Sequence, residues 1–228
     1  MPCAKYIMSE QILQAMKVHP FQGTGFASNI YYVENGGERL LVDAGWDADI
    51  SHIAKGLDNL LGGRKLDALV LTHRHIDHVG GAAAVLKKYG CKALTHEKDS
   101  KALEEGDEVT TGAALFGSSF KPLPVEPVNE GEKIAGMDVI HTPGHTIGSF
   151  CLYDPDSRAL FSGDTVFCEG VGRWDLPTGD LKALVESIRR LSKLEVDGLY
   201  PGHGRAVEEM GGAFIEQDLR YIAEWGDG

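Results

Sequence analysis

Apolar and polar positions in this chain fall into two kinds of block. Short apolar runs of strand length occur at Asn29 to Glu34, Glu38 to Asp43, Leu66 to Leu71 and Cys91 to Thr95. Longer segments repeat their apolar residues at helical spacing. In Asp49 to Leu61 these are Ile50, Ile53, Ala54, Leu57, Leu60 and Leu61, with Gly62-Gly63 as a stop. Val79 to Tyr89 predicts a second helix, closed by Gly90, and Val207 to Trp225 a last one. Asn35-Gly36-Gly37 between two β-rich runs predicts a hairpin. Lys5 to Pro20 reads as one or two strands and Lys98 to Phe120 as one or two short helices. Lys121 to Pro127, with three prolines, reads as an extended connection.

No linker or fixed-period repeat breaks the pattern, so 228 residues read as one domain, 1–228, with strands and helices mixed. A chain of this length buries roughly 70–75% of its unfolded surface and needs no disulfide to hold a core. The formal charge of −12 disfavours a nucleic-acid partner, because such binding rests on neutralising phosphates. Cys3, Cys91, Cys151 and Cys168 form no CxxC pair and read as reduced thiols. No apolar stretch reaches membrane-spanning length, and the first residues lack a basic region followed by an apolar core. The expectation is a cytoplasmic protein without a membrane partner, monomeric or homodimeric.

Chemistry concentrates in one stretch. Directly after the run Leu66 to Leu71 come His73-Arg74-His75-Ile76-Asp77-His78-Val79-Gly80. Three His and one Asp thus fall on a strand-to-helix turn, where open α/β sheets gather ligands. Imidazole and carboxylate together suit Zn, Fe or Mn. Four donors exceed what one catalytic ion takes from so short a segment.

Three later segments repeat a simpler form, an apolar run ending in a Gly-flanked His or Asp: Val139 to Thr146 with His145, Ala159 to Thr165 with Asp164, and Leu199 to Gly204 with His203. The candidate ligands are then His73, His75, Asp77, His78, His145, Asp164 and His203. Shared between two divalent ions, Zn before Fe or Mn, they divide into His73, His75, His145 and Asp164, and Asp77, His78, His203 and Asp164. Two ions about 3.5–4 Å apart, bridged by a carboxylate and a water, are a known hydrolytic arrangement. Asp43 reads as a buried carboxylate bonded to backbone amides at a strand end. His19, His52, His96 and His141 receive no role. Phe21 and Phe26, on a Gly-punctuated loop, fit a pocket wall and a hairpin anchored in the core equally. Arg173 and Trp174 are further pocket-wall candidates, with core packing an equal alternative for Trp174.

The His-x-His-x-Asp-His stretch, followed by a lone His, a lone Asp and a last His, resembles the metallo-β-lactamase superfamily over roughly residues 29–204. That resemblance implies an α+β fold, a four-layer αβ/βα sandwich of two mixed β-sheets flanked by helices. It implies the same division of ligands, with Asp164 bridging and Asp43 structural. Phe161 to Thr165 and Gly172 to Asp180 are similar to the glyoxalase II-like (hydroxyacylglutathione hydrolase-like) branch, in a short form without the C-terminal helical domain. The branch implies a dinuclear hydrolase of a small thioester or ester, whose metal-bridging hydroxide is oriented by Asp77 and Asp164. Mononuclear iron persulfide dioxygenases of the same branch, which use the equivalents of His73, His145 and Asp164, are the rival. A lactonase and a non-catalytic metal-binding module stand further off.

Overall fold

A computed structural model describes residues 15–46 and 50–226. The first sheet has six strands in chain order: β1 (Lys17–Phe21), β2 (Ile30–Asn35), β3 (Glu38–Val42), β4 (Ala68–Val70), β5 (Lys92–His96) and β6 (Glu126–Val128). Its first three strands are antiparallel and its last four, from β3 on, are parallel. The second sheet runs β11 (Gly198–Pro201), β10 (Ala159–Gly163), β9 (Phe150–Asp154), β8 (Met137–His141) and β7 (Lys133–Ile134), with only β10 and β11 parallel. Helices α1 (Ser51–Leu61), α2 (Ile76–Val79), α3 (Ala82–Tyr89) and α4 (Glu97–Glu105) follow strands of the first sheet, and α5 (Leu181–Leu191) and α6 (Gly211–Gly226) those of the second.

Strand periodicity explains the layering. In β3, Leu40 and Val42 join a core shared with Val139, Phe150, Leu152 and Phe161 of the second sheet. Leu41, between them, points the other way and packs with Ile53, Leu57 and Leu61 of α1 and Val85 of α3. Successive side chains of a strand alternate faces, so a strand covered on both sides reads as an unbroken apolar run. On the far face of the second sheet Cys151, Leu160 and Leu199 meet Leu184, Ile188 and Leu191 of α5 and Ile215 and Ile222 of α6. Each fully buried Leu or Ile contributes about 1.5–3 kcal/mol. Helix, sheet, sheet, helix is the resulting order, with two mixed sheets as expected.

Several expectations shift at their edges. The hairpin forms, and its strands pair Asn35 with Glu38. The helix expected over Val79 to Tyr89 starts at Ala82 as α3, and the separate short turn α2 precedes it. Between them Gly81 N donates to the Gly45 carbonyl at 3.2 Å instead of continuing the helical ladder, and Gly80 leaves room for the Trp46 carbonyl, which a Cβ there would strike. Asp77 and His78 thus lie on their own short turn. The proline-rich connection ends as β6, an edge strand in which Pro127 is tolerated. The last helix starts at Gly211 rather than Val207, since Val207 bridges to Leu199. In the first segment only β1 is described; residues 5–14 of that expectation, and Asp49 of the first helix, lie outside the described residues.

Candidate functional site

Both sheets direct residues to one end of the sandwich. From the first, β4 leads into the turn carrying His73 and His75, and α2 holds Asp77 and His78. From the second, the loops after β8, β10 and β11 carry His145, Asp164 and His203. The seven expected residues converge as two clusters, His73 with His75 and His145, and Asp77 with His78, Asp164 and His203. Within each, one donor atom per residue lies within 4.8 Å of every other.

Asp164 touches both clusters. Its Oδ1 is 3.2 Å from His78 Nε2, and its Oδ2 is 3.5 Å from both His145 Nε2 and His203 Nε2. His75 Nδ1 and His145 Nε2 are 2.8 Å apart, and His203 Nε2 is 3.0 Å from Asp77 Oδ2. Such crowding needs close backbone approach. A Cβ at Gly202 would run into Asp164 Oδ1 and stand 2.5 Å from His78 Cε1, and one at Gly172 would meet the Asp164 carbonyl.

The ring nitrogens that face away from the clusters are held. His78 Nδ1 donates to Asp43 Oδ2 at 2.8 Å, and His145 Nδ1 donates to the Arg173 carbonyl at 2.6 Å. His73 Nδ1 lies 3.1 Å from the Thr72 hydroxyl, which donates in turn to Asp43 Oδ2 at 2.9 Å. These bonds leave Nε2 of each ring turned toward the cluster, the usual way a protein prepares imidazole for a cation. His73 Nε2 is buried without any hydrogen-bond partner. A buried orphan acceptor costs free energy that a bound cation removes, so the donor set fits metal ions.

Electrostatics agree with that reading. Burial, reinforced by the neighbouring rings of His78, His145 and His75, pushes the His73 pKa well below its usual value. Burial and His145 bring His75 down to about 3. His145 is also lowered by burial, against the pull of Asp164. The first cluster therefore offers neutral imidazoles. In the second, burial opposes charge on His78, but Asp164, Asp43 and Asp77 outweigh it and raise its pKa. Burial likewise works against ionised Asp77 and Asp164, and the surrounding His residues overcome it and lower both.

The clusters form the floor of a cavity of about 340 Å³. Phe26, Ile76, Leu115, Phe116, Phe167 and Leu176 line it, with Arg173 at its edge. Of the four pocket-wall candidates, Phe26 and Arg173 lie in the cavity lining, whereas Phe21 and Trp174 take the core positions that were their alternative. Phe21 packs over Gly56 of α1 in the outer core of the first sheet. Trp174 packs against the α5–α6 core with its ring 6.2 Å from that of Trp225. Neither lines the cavity.

Residues 23–203 match the metallo-beta-lactamase superfamily. The chain belongs to that superfamily. It is 36% identical over 196 residues to a probable metallo-hydrolase of Methanocaldococcus jannaschii, covering 82% of this chain and 93% of the relative. It is 35% identical over 151 residues to the hydroxyacylglutathione hydrolase GloC of Haemophilus influenzae, covering 61% of this chain and 69% of that one. Among solved structures, TTHA1623 in a di-iron-bound form superposes with a TM-score of 0.77 at 33% identity, covering 90% of this chain and all (100%) of the other.

In this metallo-beta-lactamase superfamily chain, the supports around the clusters other than Asp43 were hidden from sequence reading. Asp99, on α4, is fully buried and accepts from the Arg74 backbone at 2.9 Å, the Arg74 Nε at 2.8 Å and the Thr146 hydroxyl at 2.8 Å. It thereby ties the His73–His75 turn to the His145 loop. Asn29 does the same for the third loop, donating to the carbonyls of Pro201 and Gly204 at 3.0 and 2.9 Å. The α5 helix steadies His145 from below, since Asp180 N donates to the Gly144 carbonyl and the Ser187 hydroxyl to that of Pro143, both at 2.8 Å. Arg74 sits inside the His-rich stretch and could have been noticed there; Asp99 and Asn29 carry no local signal.

Proposed function

We propose that this protein is a dinuclear metal-dependent hydrolase of a small thioester or ester, of the glyoxalase II-like kind. The observation that carries the reading is Asp164, whose two carboxylate oxygens lie within 3.2–3.5 Å of ring nitrogens from both clusters. A carboxylate so placed suits a bridge between two ions. His73, His75, His145 and Asp164 would hold one ion, and Asp77, His78, His203 and Asp164 the other. The nitrogen and oxygen donors suit Zn, Fe or Mn. Because both sheets supply donors, we read the chain as one domain.

When bound, the ions supply Lewis acidity and a water acidic enough to ionise near neutral pH. The chain does the rest. Asp77 and Asp164 face the cavity and offer carboxylate oxygens that orient the attacking water toward a substrate carbonyl. Asp43 and the Arg173 carbonyl fix the rings of His78 and His145, so the donors need no reorganisation during reaction. A thiolate leaves with little need for a proton, so no general acid is assigned. The similarity to a hydroxyacylglutathione hydrolase supports a thioester.

Plasma mass spectrometry of protein purified without added metal, beside hydrolysis assays on S-lactoylglutathione and simpler thioesters, tests this. The expected result is close to two Zn, Fe or Mn ions per chain with thioester turnover. A single iron, no hydrolysis, and oxygen uptake with glutathione persulfide would replace the hydrolase by a dioxygenase.

A further inference from the structure

We propose that the acyl arm of the substrate is apolar and uncharged, and that Phe26, Leu115, Phe116 and Leu176 select it. The inference rests on the hydrolase reading and specifies its substrate class.

The wall of the cavity is apolar, and it is held open. Phe26 is 72% exposed and Leu115 65% exposed, so both present to solvent surface that chains ordinarily cover. They do not fold down onto the floor because the wall is anchored. Phe116 stands edge-on to Trp46, ring centroids 4.7 Å apart at 90°, and Phe26 lies 5.5 Å from Phe116. This aromatic chain runs from the outer core of the first sheet to the mouth of the cavity. The loop bearing Phe26 is pinned at its base, where Gly23 N donates to the Asn29 side chain at 3.0 Å. Leu176 also lines the cavity.

The charges of the lining favour the same class of arm. The lining residues include one permanent cation, Arg173, and Asp175 already takes it in a bidentate pair with both bonds at 2.8 Å. The His and Asp residues of the lining belong to the metal clusters. An acyl arm ending in a carboxylate would lose water beside Phe26, Leu115 and Phe116 without gaining a partner in that wall, which is costly. An alkyl or aryl arm covers exposed apolar wall instead. At about 340 Å³ the cavity lies near the lower end of the range for small-molecule sites. It takes one arm and leaves the thiol carrier toward solvent.

Acetyl, octanoyl and succinyl thioesters of one uncharged carrier, N-acetylcysteamine, test the proposal on metal-loaded protein. Calorimetric binding of the matching ketones, with CH2 in place of sulfur, provides a readout that needs no turnover. The octanoyl compounds should exceed the succinyl ones by at least about tenfold in kcat/KM and in affinity. Leu115→Ala and Phe116→Ala should each shrink the octanoyl-to-acetyl ratio by about tenfold. Equal or better handling of succinyl compounds overturns the proposal, and so does a ratio indifferent to both substitutions. Should either variant misfold, the wild-type ordering of the three arms decides alone. Selective binding of the octanoyl ketone without hydrolysis of any thioester would overturn the hydrolase reading while the apolar cavity stands. Turnover that favours succinyl would do the reverse.

Discussion

Asp43 Oδ2 accepts from His78 Nδ1 at 2.8 Å, while Oδ1 of the same carboxylate accepts from the Thr72 backbone at 2.8 Å. One side chain at the end of β3 therefore sets both the ring of a candidate ligand and the turn that carries its neighbours. Asp43 adopts a φ of 60°, a left-handed conformation that Asp and Asn tolerate better than other side chains. Asp43→Asn keeps that backbone but presents an amide to His78. Metal affinity of the cluster containing His78 should fall about 10–100-fold, as read by competition with a chromophoric chelator. Unchanged affinity would remove Asp43 from the support of the site.

Asp99→Ala should be among the most damaging changes outside the clusters. It removes the carboxylate paired with the Arg74 guanidinium, which is only 6% exposed, and releases Thr146 beside His145. Breaking a buried pair by removing one partner costs about 3–5 kcal/mol. A urea midpoint within error of wild type would contradict the role assigned here.

Gly202→Ala separates the fold from the site. The added methyl competes for space with Asp164 Oδ1 and His78 Cε1, both parts of the proposed second metal position. Near-native circular dichroism with about one ion lost per chain is expected. Full occupancy by mass spectrometry would mean the loop gives way at little cost.

A pH dependence of stability follows from Asp218 of α6. Burial raises its pKa from 3.8 to about 7, against hydrogen bonds from the backbone of Phe167 and Gly170, and its Oδ2 has no partner. Because the folded value lies above the unfolded one, the native state holds an extra proton between about pH 4 and pH 7. Stability from this group is lost as pH rises through that window, and the cost persists above it. Asp218→Asn mimics the protonated form. Its urea midpoint should fall less between pH 5 and pH 8 than that of wild type. Parallel pH profiles would exclude Asp218 as the source.

Much of this was legible in the chain because local chemistry carried it. The hairpin at Asn35-Gly36-Gly37 follows from turn geometry, and the alternating burial of Leu40, Leu41 and Val42 from the pleat. The candidate ligands stood out because His and Asp at strand ends, flanked by glycine, are costly to explain otherwise. Where reading failed, a distant contact decided. The interruption before α3 involves the Gly45 and Trp46 carbonyls, and the place of Phe21 is above Gly56. Asp99 carries no local signal in the sequence, and its role comes from Arg74 and Thr146, which meet it only in the folded chain.

By itself the sequence determined which atoms can bind and in what local order: three His and an Asp on one turn, then single donors on three later turns. It also determined the two-faced burial of the strands, since period-two patterning is a local property. Only the tertiary structure decided that the turns meet, that Asp164 lies between the clusters, which ring nitrogen each His turns inward, and which aromatic residues wall the cavity. Those relations join residues such as Asp77 and His203, 126 positions apart. They arise when two sheets pack through a shared core, and no local pattern encodes how two packed surfaces align.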